Sequence, residues 1–212
     1  MSTPPLYALA KATIGRAITL GWRPTVMGLD HLPSTGAILA GNHLSVADEY
    51  FLAAVVPRHI AFWAKAEYFA RGGISRAIVN GVGAISVERG GGRAVLTAFA
   101  AAVPVLRRGG LVAVYPEGTR SPDGRLHRGR TGAVRLAQQA GVPIVPVGVL
   151  GTDRVQPIGA RVPRPARVSI TFGEPMPAGG DIRAGTDALM ARIRALTGQE
   201  YVPRYAARPQ RL

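Results

Sequence analysis

Short apolar runs alternate with segments of helical periodicity along most of the chain. Runs of four to six largely apolar residues predict strands at 37–40, 60–63, 84–87, 111–115, 144–149 and 168–172. Apolar residues at helical spacing predict helices near 45–56, 66–80, 92–106, 130–140 and 182–197. Apolar strands that alternate with helices are typical of α/β domains. We therefore predict an α/β domain whose mostly parallel or mixed central sheet has about six to seven strands flanked by helices.

The first helical pattern, over residues 5–21, is amphipathic. Pro5 suits the first turn of a helix, and Gly21 suits its end. Lys11 and Arg16 lie at the edges of the apolar stripe, where long basic side chains can reach water. The stripe consists of Leu6, Leu9, Ala10, Ile14, Ala17 and Ile18. Such a helix either covers the protein core or lies in a membrane interface, and the pattern leaves both interpretations open.

The chain is predicted to hold one domain between two short terminal segments, because it contains no internal repeat and no long linker. We predict an amphipathic helix, either of the core or of a membrane interface, over 1–21, the main domain over 22–204, and a flexible basic tail over 205–212. Pro104 falls inside a helical pattern and is expected to kink or end that helix.

The composition excludes several classes of protein. With 212 residues, of which 47% are hydrophobic and 18% charged, the chain is neither disordered nor fibrous. Because cysteine is absent, disulfides, Cys-ligated metals and thiol nucleophiles are excluded. Lys and Arg number 26 against 12 Asp and Glu, so the net charge is +14. A surface this basic attracts anions, and the candidates are nucleic acid, anionic lipid headgroups and phosphorylated substrates.

No stretch of the sequence resembles a membrane span, which needs about 20 apolar residues without charges. The N-terminal apolar run is interrupted by Lys11 and Arg16, so it does not read as a signal peptide. We therefore expect a soluble or peripheral protein on the cytoplasmic side.

The segment after the first predicted strand carries a candidate general base. Ser45 and Asp48 have the spacing that begins a helix, with Ser45 as N-cap and Asp48 at the third helical position. His43 lies two residues before Ser45, so its side chain can fold back over the first turn and meet the Asp48 carboxylate. That contact fixes the tautomer of the imidazole and stabilises its charged form, as a general base requires. The alternative is that Asp48 only caps the helix and His43 is a solvated turn residue.

Arg89 is predicted to emerge at the carboxyl end of the strand at 84–87, where ligands of open α/β sheets gather. Its planar guanidinium group suits an anion, and the flexible glycines 90–92 that follow could let a phosphate approach. The alternative is an ordinary exposed arginine, because 24 of the 26 basic residues are arginine.

A polar turn follows the strand at 111–115. In this turn Gly118 permits a positive φ, and Glu117 can orient a cation or a hydroxyl group. Thr119, Arg120 and Ser121 offer hydrogen-bond donors to an anion. An ordinary polar turn remains the alternative, although this order of residues is unusual.

Taken together, the motifs resemble those of the glycerolipid acyltransferase family, in particular its bacterial 1-acyl-glycerol-3-phosphate acyltransferases. The matching blocks are Asn-His-x-Ser-x-x-Asp at 42–48, Gly-x-Ile-x-Val-x-Arg at 83–89, aromatic-Pro-Glu-Gly-Thr-Arg-Ser at 115–121 and Val-Pro-Val at 145–147. The resemblance covers roughly residues 22–204. The first and third blocks in this order and at this spacing are its most specific part.

The resemblance implies transfer of a long-chain acyl group from acyl-CoA or acyl carrier protein to the free hydroxyl of 1-acyl-glycerol-3-phosphate, which gives phosphatidic acid. It casts His43 as the base that takes the hydroxyl proton and Asp48 as the group that holds its ring. It assigns substrate binding to Asn42, Ser45, Arg89, Glu117, Gly118, Thr119 and Arg120. It implies no metal and no cofactor besides the thioester co-substrate. The net charge of +14 and the amphipathic pattern at 5–21, together with a substrate whose acyl chains lie in a bilayer, lead us to expect a peripheral enzyme at an anionic membrane surface, on the cytoplasmic face of the cell membrane.

Two other functions stay open at this point. An acyltransferase with these blocks could use a different lysolipid, a glycolipid or an aminolipid as acceptor. A basic nucleic-acid-binding domain would account for the net charge but not for the pairing of His43 with Asp48. Aromatic residues are only 6% of the chain and are not interleaved with basic ones, so base stacking is not indicated and no nucleic-acid partner is expected.

Overall fold

Strands and helices alternate along the chain in a computed structural model that describes residues 3–70, 73–87 and 92–207. The strands are β1 (Thr25–Met27), β2 (Ala37–Gly41), β3 (Ile60–Ala61), β4 (Trp63–Lys65), β5 (Ile85–Val87), β6 (Leu111–Val114), β7 (Leu126–His127), β8 (Ile144–Leu150), β9 (Ser169–Phe172) and β10 (Tyr201–Val202). The helices are α1 (Pro5–Ala10), α2 (Arg16–Trp22), α3 (Ala47–Val55), α4 (Ala66–Ala70), α5 (Ile74–Gly81), α6 (Gly92–Arg107), α7 (Gly132–Ala140), α8 (Thr152–Val155) and α9 (Ile182–Thr197). A π-helical segment, Lys11–Gly15, joins α1 to α2.

The central sheet has six strands in the order β1-β9-β8-β2-β6-β3. All neighbouring strands pair in parallel except β8 and β9, which are antiparallel. Two further parallel pairs, β4 with β5 and β7 with β10, form small separate ladders. The prediction of an α/β domain with a mixed sheet flanked by helices is therefore confirmed.

Separate apolar clusters cover the two faces of the sheet. In β2, Ile38 and Ala40 belong to one cluster, whereas Ala37 and Leu39 belong to the other. Helices α6, α7 and α9 cover the first face, with the buried residues Ala102, Leu106, Leu136, Leu189 and Ile193. Helices α3 and α2 cover the second face, with Phe51, Leu52, Ile18 and Trp22. Because both faces are buried, the strands can be apolar without a polar alternation.

The carboxyl ends of β2, β6 and β8 meet at one edge of the sheet, because these strands are parallel to one another. Residues 42–48 follow β2, and residues 115–121 follow β6. The topology thus brings the first and third sequence blocks together from distant parts of the chain. Arg89 follows β5 but lies outside the described residues.

The N-terminal helix packs with only part of the predicted stripe, of which Ile18 lies against the core. Tyr7 and Gly15 are buried, whereas Leu9 and Ile14 of the predicted stripe are exposed. The π-helical segment has more residues per turn than an α-helix, so it rotates the later residues away from the positions that a regular helical period predicts.

Lys11 points inwards rather than towards water as predicted. Its Nζ donates hydrogen bonds to the carbonyl oxygens of Val56 and, at 3.2 Å, of Ala53. These carbonyls lie at the end of α3, where backbone acceptors have no partner inside the helix. Burial lowers the pKa of the Lys11 ammonium group. Lys11 therefore fixes the N-terminal helix to α3, the helix that begins beside His43.

The structure adds detail to three other local predictions. The helical pattern at 66–80 forms two helices, α4 and α5, and the structure does not describe residues 71–72 between them. Helix α6 continues through Pro104 to Arg107, so Pro104 does not end it. Pro104 cannot donate a hydrogen bond to the carbonyl oxygen of Ala100, but both residues face solvent, where water can replace that donor. In the tail predicted to be flexible, Ala206 is buried and Tyr205 lies against two arginines, while residues 208–212 lie outside the described part.

Candidate active site

Asn42 joins the ends of two central strands. Its Nδ2 donates to the carbonyl oxygen of Val149, and its Oδ1 accepts from the backbone N–H of Val149, each at 2.8 Å. The side chain thus continues the ladder between β2 and β8 after the backbone of β2 has left the sheet. Asn42 is fully buried, so in the structure it fixes the beginning of the turn that carries His43 to β8.

His43 and Asp48 form a close pair at the beginning of α3. His43 Nδ1 lies 2.8 Å from Asp48 Oδ2, so the proton sits on Nδ1 and is donated to the carboxylate. The same oxygen accepts the backbone N–H groups of Leu44 at 2.8 Å and Ser45 at 3.0 Å. Asp48 is fully buried, and the His43 side chain is 14% exposed. The other ring nitrogen, Nε2, has no hydrogen-bond partner within the described part of the chain, which leaves it free to take a proton.

Ser45 lies just before α3, which begins at Ala47 rather than at the predicted position. Its Oγ accepts the N–H of Ala47 at 3.1 Å and donates to the carbonyl oxygen of Gln156 at 2.6 Å. Both partners are protein backbone groups, and Ser45 is fully buried. The structure therefore uses Ser45 to hold the turn against the segment after α8.

A contact between Tyr115 and His43 was not predicted from the sequence. The two rings are stacked, with centroids 3.9 Å apart and planes 11° from parallel. The buried Tyr115 hydroxyl has no hydrogen-bond partner among the residues that the structure describes. Burial, and then the nearby Asp48 and Glu49 carboxylates, raise the pKa of this hydroxyl well above its ordinary value. The stack fixes the plane of the imidazole. The aromatic residue before Pro116 was the one feature of the sequence that could have indicated this contact.

Glu117 holds the third block against the first. Its Oε1 accepts the backbone N–H of His43 at 3.2 Å, and its Oε2 accepts the backbone N–H of His127 at 3.0 Å. The N–H of Ser121 also donates to the carbonyl oxygen of His43 at 2.7 Å. Glu117 is fully buried, so its role in the structure is to position His43, whereas the sequence analysis expected it to orient a cation or hydroxyl.

The tip of the same turn carries the available polar side chains. Gly118 has φ of +73°, as expected, and a Cβ there would lie 2.9 Å from Cδ of Arg130. The half-buried side chains of Thr119 and Arg120 make no hydrogen bond or ion pair within the described residues. Those residues also bring together no group of three or more His, Asp or Glu side chains that could hold a metal ion. Among the candidate substrate contacts that the structure describes, Thr119 and Arg120 have side chains without a hydrogen-bond or ion-pair partner.

Comparison with known proteins identifies the family. The profile described as Acyltransferase matches residues 23–150, which is more than half of the chain. The chain belongs to this acyltransferase family. The match includes all four sequence blocks, from Asn42 to Val147.

Proteins from plants and bacteria are similar to this acyltransferase. A chloroplastic 1-acyl-sn-glycerol-3-phosphate acyltransferase of Brassica napus is 30% identical over 73% of this chain and 45% of its own length. A chloroplastic enzyme of the same name from Arabidopsis thaliana is 31% identical over 73% of this chain and 43% of its own length. The chain thus spans less than half the length of these two relatives. A Pseudomonas aeruginosa 1-acyl-sn-glycerol-3-phosphate acyltransferase is 25% identical over 77% of this chain and 63% of its own.

A solved structure supports the fold of the acyltransferase domain. The crystal structure of the 1-acyl-sn-glycerophosphate acyltransferase PlsC from Thermotoga maritima aligns with a TM-score of 0.69 and 26% sequence identity. The alignment covers 90% of this chain and 79% of the Thermotoga chain. The α/β architecture and the N-terminal helix are therefore features that this acyltransferase shares with a solved relative.

The buried carboxyl group of Glu117 is expected to make the stability of this acyltransferase depend on pH. Burial raises its pKa to about 7, although the N–H groups of His127 and His43 act in the opposite direction. In the unfolded chain its pKa is about 4.3. The protonated form is thus favoured by folding, and stability is lost as the pH rises through this window, by about 4 kcal/mol in total.

Glu117→Gln, which cannot ionise, is expected to flatten this decline between about pH 5 and 7. Urea unfolding at a series of pH values measures the effect. The slope of the unfolding free energy against pH should not vanish, because Glu49 contributes in the same direction. Burial, and then Asp48, also raise the pKa of Glu49 to about 7. Glu49→Gln is therefore the matched control and should flatten the curve on its own. If the slope is the same in the Glu117 variant and the wild type, the raised pKa of Glu117 is contradicted.

Proposed function

We propose that this protein transfers a long-chain acyl group from a thioester to the free hydroxyl of 1-acyl-glycerol-3-phosphate and so makes phosphatidic acid in phospholipid synthesis. The observation that carries the proposal is the contact of 2.8 Å between His43 Nδ1 and Asp48 Oδ2, next to a turn with a free arginine, Arg120. The relatives named 1-acyl-sn-glycerol-3-phosphate acyltransferases support the choice of acceptor.

In the proposed mechanism, His43 Nε2 takes the proton of the acceptor hydroxyl as its oxygen attacks the thioester carbonyl. Asp48 keeps the Nδ1 proton in place and balances the charge that the ring gains. When the tetrahedral intermediate collapses, the carbon–sulfur bond breaks and the thiolate takes the proton from the ring. The products are the ester and the free thiol, and the ring returns to its neutral form.

We assign the acceptor's phosphate and glycerol to Arg89, Thr119 and Arg120. Arg120 supports this assignment because it has no carboxylate partner within the described residues, and guanidinium groups recognise phosphate with two parallel hydrogen bonds. Gly118 contributes by leaving the tip of the turn open. Two substrates held in line with His43 lower the barrier by several kcal/mol through positioning alone.

A thiol-release assay tests the proposed function. The purified protein is given palmitoyl-CoA or palmitoyl acyl carrier protein with a panel of acceptors: lysophosphatidate, another lysophospholipid, a glycolipid and an aminolipid. We expect thiol release that depends on lysophosphatidate and yields phosphatidic acid, with the His43→Ala protein as the blank. Faster transfer to another acceptor would assign that substrate instead, and no transfer to any of them contradicts the proposal.

We also propose that the enzyme binds the anionic surface of the cell membrane from the cytoplasmic side. In the described residues, no helix has the length and apolar character needed to cross a bilayer. The N-terminal helix nevertheless exposes Leu9 (59%), Ile14 (59%) and Leu20 (66%) beside Arg16. Exposed apolar side chains can enter the lipid interface, and a net charge of +14 favours anionic headgroups.

Replacing Leu9, Ile14 and Leu20 together by Gln is expected to weaken vesicle binding at least about tenfold, because each buried side chain contributes up to about 1.5–3 kcal/mol. Flotation with vesicles that contain or lack anionic lipid measures the binding. Met27→Gln, at a similarly exposed residue on the edge strand β1, is the control and should bind like the wild type. Binding that is independent of both the three residues and the anionic lipid contradicts this proposal.

A further inference from the structure

Two arginines contact the ring of Tyr205 near the candidate active site. The guanidinium carbon of Arg128 lies 5.6 Å from the ring centroid, and that of Arg130 lies 4.9 Å from it. The backbone supports this arrangement, because Arg128 N–H donates to the carbonyl oxygen of Arg204 at 3.1 Å. Tyr205 is 47% exposed, Arg130 is exposed and Arg128 is half-buried, so the cluster is open to solvent.

The two guanidinium groups have no carboxylate partner within the described residues. A neighbouring acidic residue, Asp187, is already paired with Arg183, whose Nη2 and Nε donate to the carboxylate at 2.5 and 3.1 Å. Two like charges that share one ring repel each other, and an anion between them removes that repulsion. Planar donors in this arrangement suit the oxygens of a phosphate group.

The arginine pair borders the turn that holds His43. The N–H of Arg130 donates to the carbonyl oxygen of Pro116 at 2.7 Å, and its side chain passes so close to Gly118 that a Cβ there would lie 3.0 Å from Nε. Arg128 also lines a groove of about 800 Å³ along α9. Its other lining residues include Met190, Ala191, Arg194, Ala195 and Pro203.

We propose that Arg128 and Arg130, held by Tyr205, bind the phosphate at the end of the pantetheine arm of the acyl donor. This inference rests on the proposed function. The acceptor's phosphate is attached to the carbon next to the reacting one, so it must lie close to His43. The donor's phosphate is separated from the thioester by the whole pantetheine arm, so it must lie farther from His43, and the arginine pair lies on the outer side of the turn, beyond Gly118. Coenzyme A and acyl carrier protein share this phosphate, so the site serves either donor.

The test compares donors that have and lack phosphate. For the double variant Arg128→Gln/Arg130→Gln we expect the KM for palmitoyl-CoA to rise about tenfold to a hundredfold, as the loss of charge-assisted hydrogen bonds predicts. The KM for palmitoyl-pantetheine, which has no phosphate, and the KM for lysophosphatidate should not change. The control is Arg107→Gln/Arg108→Gln, which removes the same charge from exposed residues just before β6, at the opposite edge of the sheet.

A second variant separates the ring from the charges. Tyr205→Leu keeps both guanidinium groups but removes the surface that orients them, so we expect a smaller rise in the KM for palmitoyl-CoA and again none for palmitoyl-pantetheine. An equal rise for both donors, a rise for lysophosphatidate alone, or unchanged values in the double variant overturns the inference. If the wild type transfers from no donor, the proposed function fails together with the inference. If the wild type is active and the variants match it, the inference alone fails.

Discussion

His43→Ala is expected to lower kcat for acyl transfer at least about 10³-fold, near the upper part of the range for loss of a general base. In the proposed mechanism, His43 Nε2 is the atom that takes the proton from the attacking hydroxyl. The protein should remain folded, because the Asp48 carboxylate keeps the backbone N–H groups of Leu44 and Ser45 as partners. Loss of the stack with Tyr115 should remove only part of the free energy of unfolding.

Steady-state thiol release, with thermal unfolding of the same samples, measures both consequences. His31→Ala is the matched control, because His31 follows β1, whose carboxyl end points to the opposite edge of the sheet from His43. The His31 ring contacts the carbonyl oxygen of Phe172 at 2.8 Å, so the control also removes a contacting imidazole. A folded His43 variant with kcat within tenfold of the wild type would rule out its role as the base.

The fold was predictable where the pattern is local. Helix α9 has the predicted bounds, because Asp181 caps its beginning and Gly198 ends it in the left-handed region, both of which are short-range signals. The face on which the N-terminal helix packs was not predictable, because the π-helical segment changes its register. The strands β7 and β10 have two residues each and form only by pairing with each other, so no local pattern indicates them.

The candidate site divides in the same way. The pairing of His43 with Asp48 joins residues five positions apart, and a turn followed by a helix was enough to expect it. The partners of Asn42 and Glu117 are 107 and 74 residues away from them. Whether a polar side chain faces a substrate or bonds to backbone groups depends on its contacts with such distant residues. In the structure, the side chains of Asn42 and Glu117, for which substrate binding was predicted, bond to backbone groups around His43.

Asp48→Asn is expected to lower kcat about 10²- to 10⁴-fold with little change in either KM, by analogy with the buried aspartate that orients the histidine of a serine protease. The amide oxygen can replace Oδ2 and keep the N–H groups of Leu44 and Ser45. Its NH₂ group then occupies the place of Oδ1, which is buried and has no hydrogen-bond partner within the described residues. The substitution thus preserves the turn but removes the negative charge that balances the protonated ring.

The measurement compares kcat, both KM values and urea unfolding for the variant and the wild type. Two unpaired amide hydrogens in a buried place should reduce stability by about 1–3 kcal/mol. Asp123→Asn is the matched control, because Asp123 accepts from His127 Nε2 at 2.9 Å in a second histidine–carboxylate pair nearby. A rate loss in the Asp48 variant alone indicates that the Asp48 carboxylate balances the charge of protonated His43. In the proposed mechanism His127 takes no proton, so the Asp123 carboxylate has no such role. Equal losses in the two variants would instead indicate a general effect of carboxylates on the turn from Pro116 to Ser121.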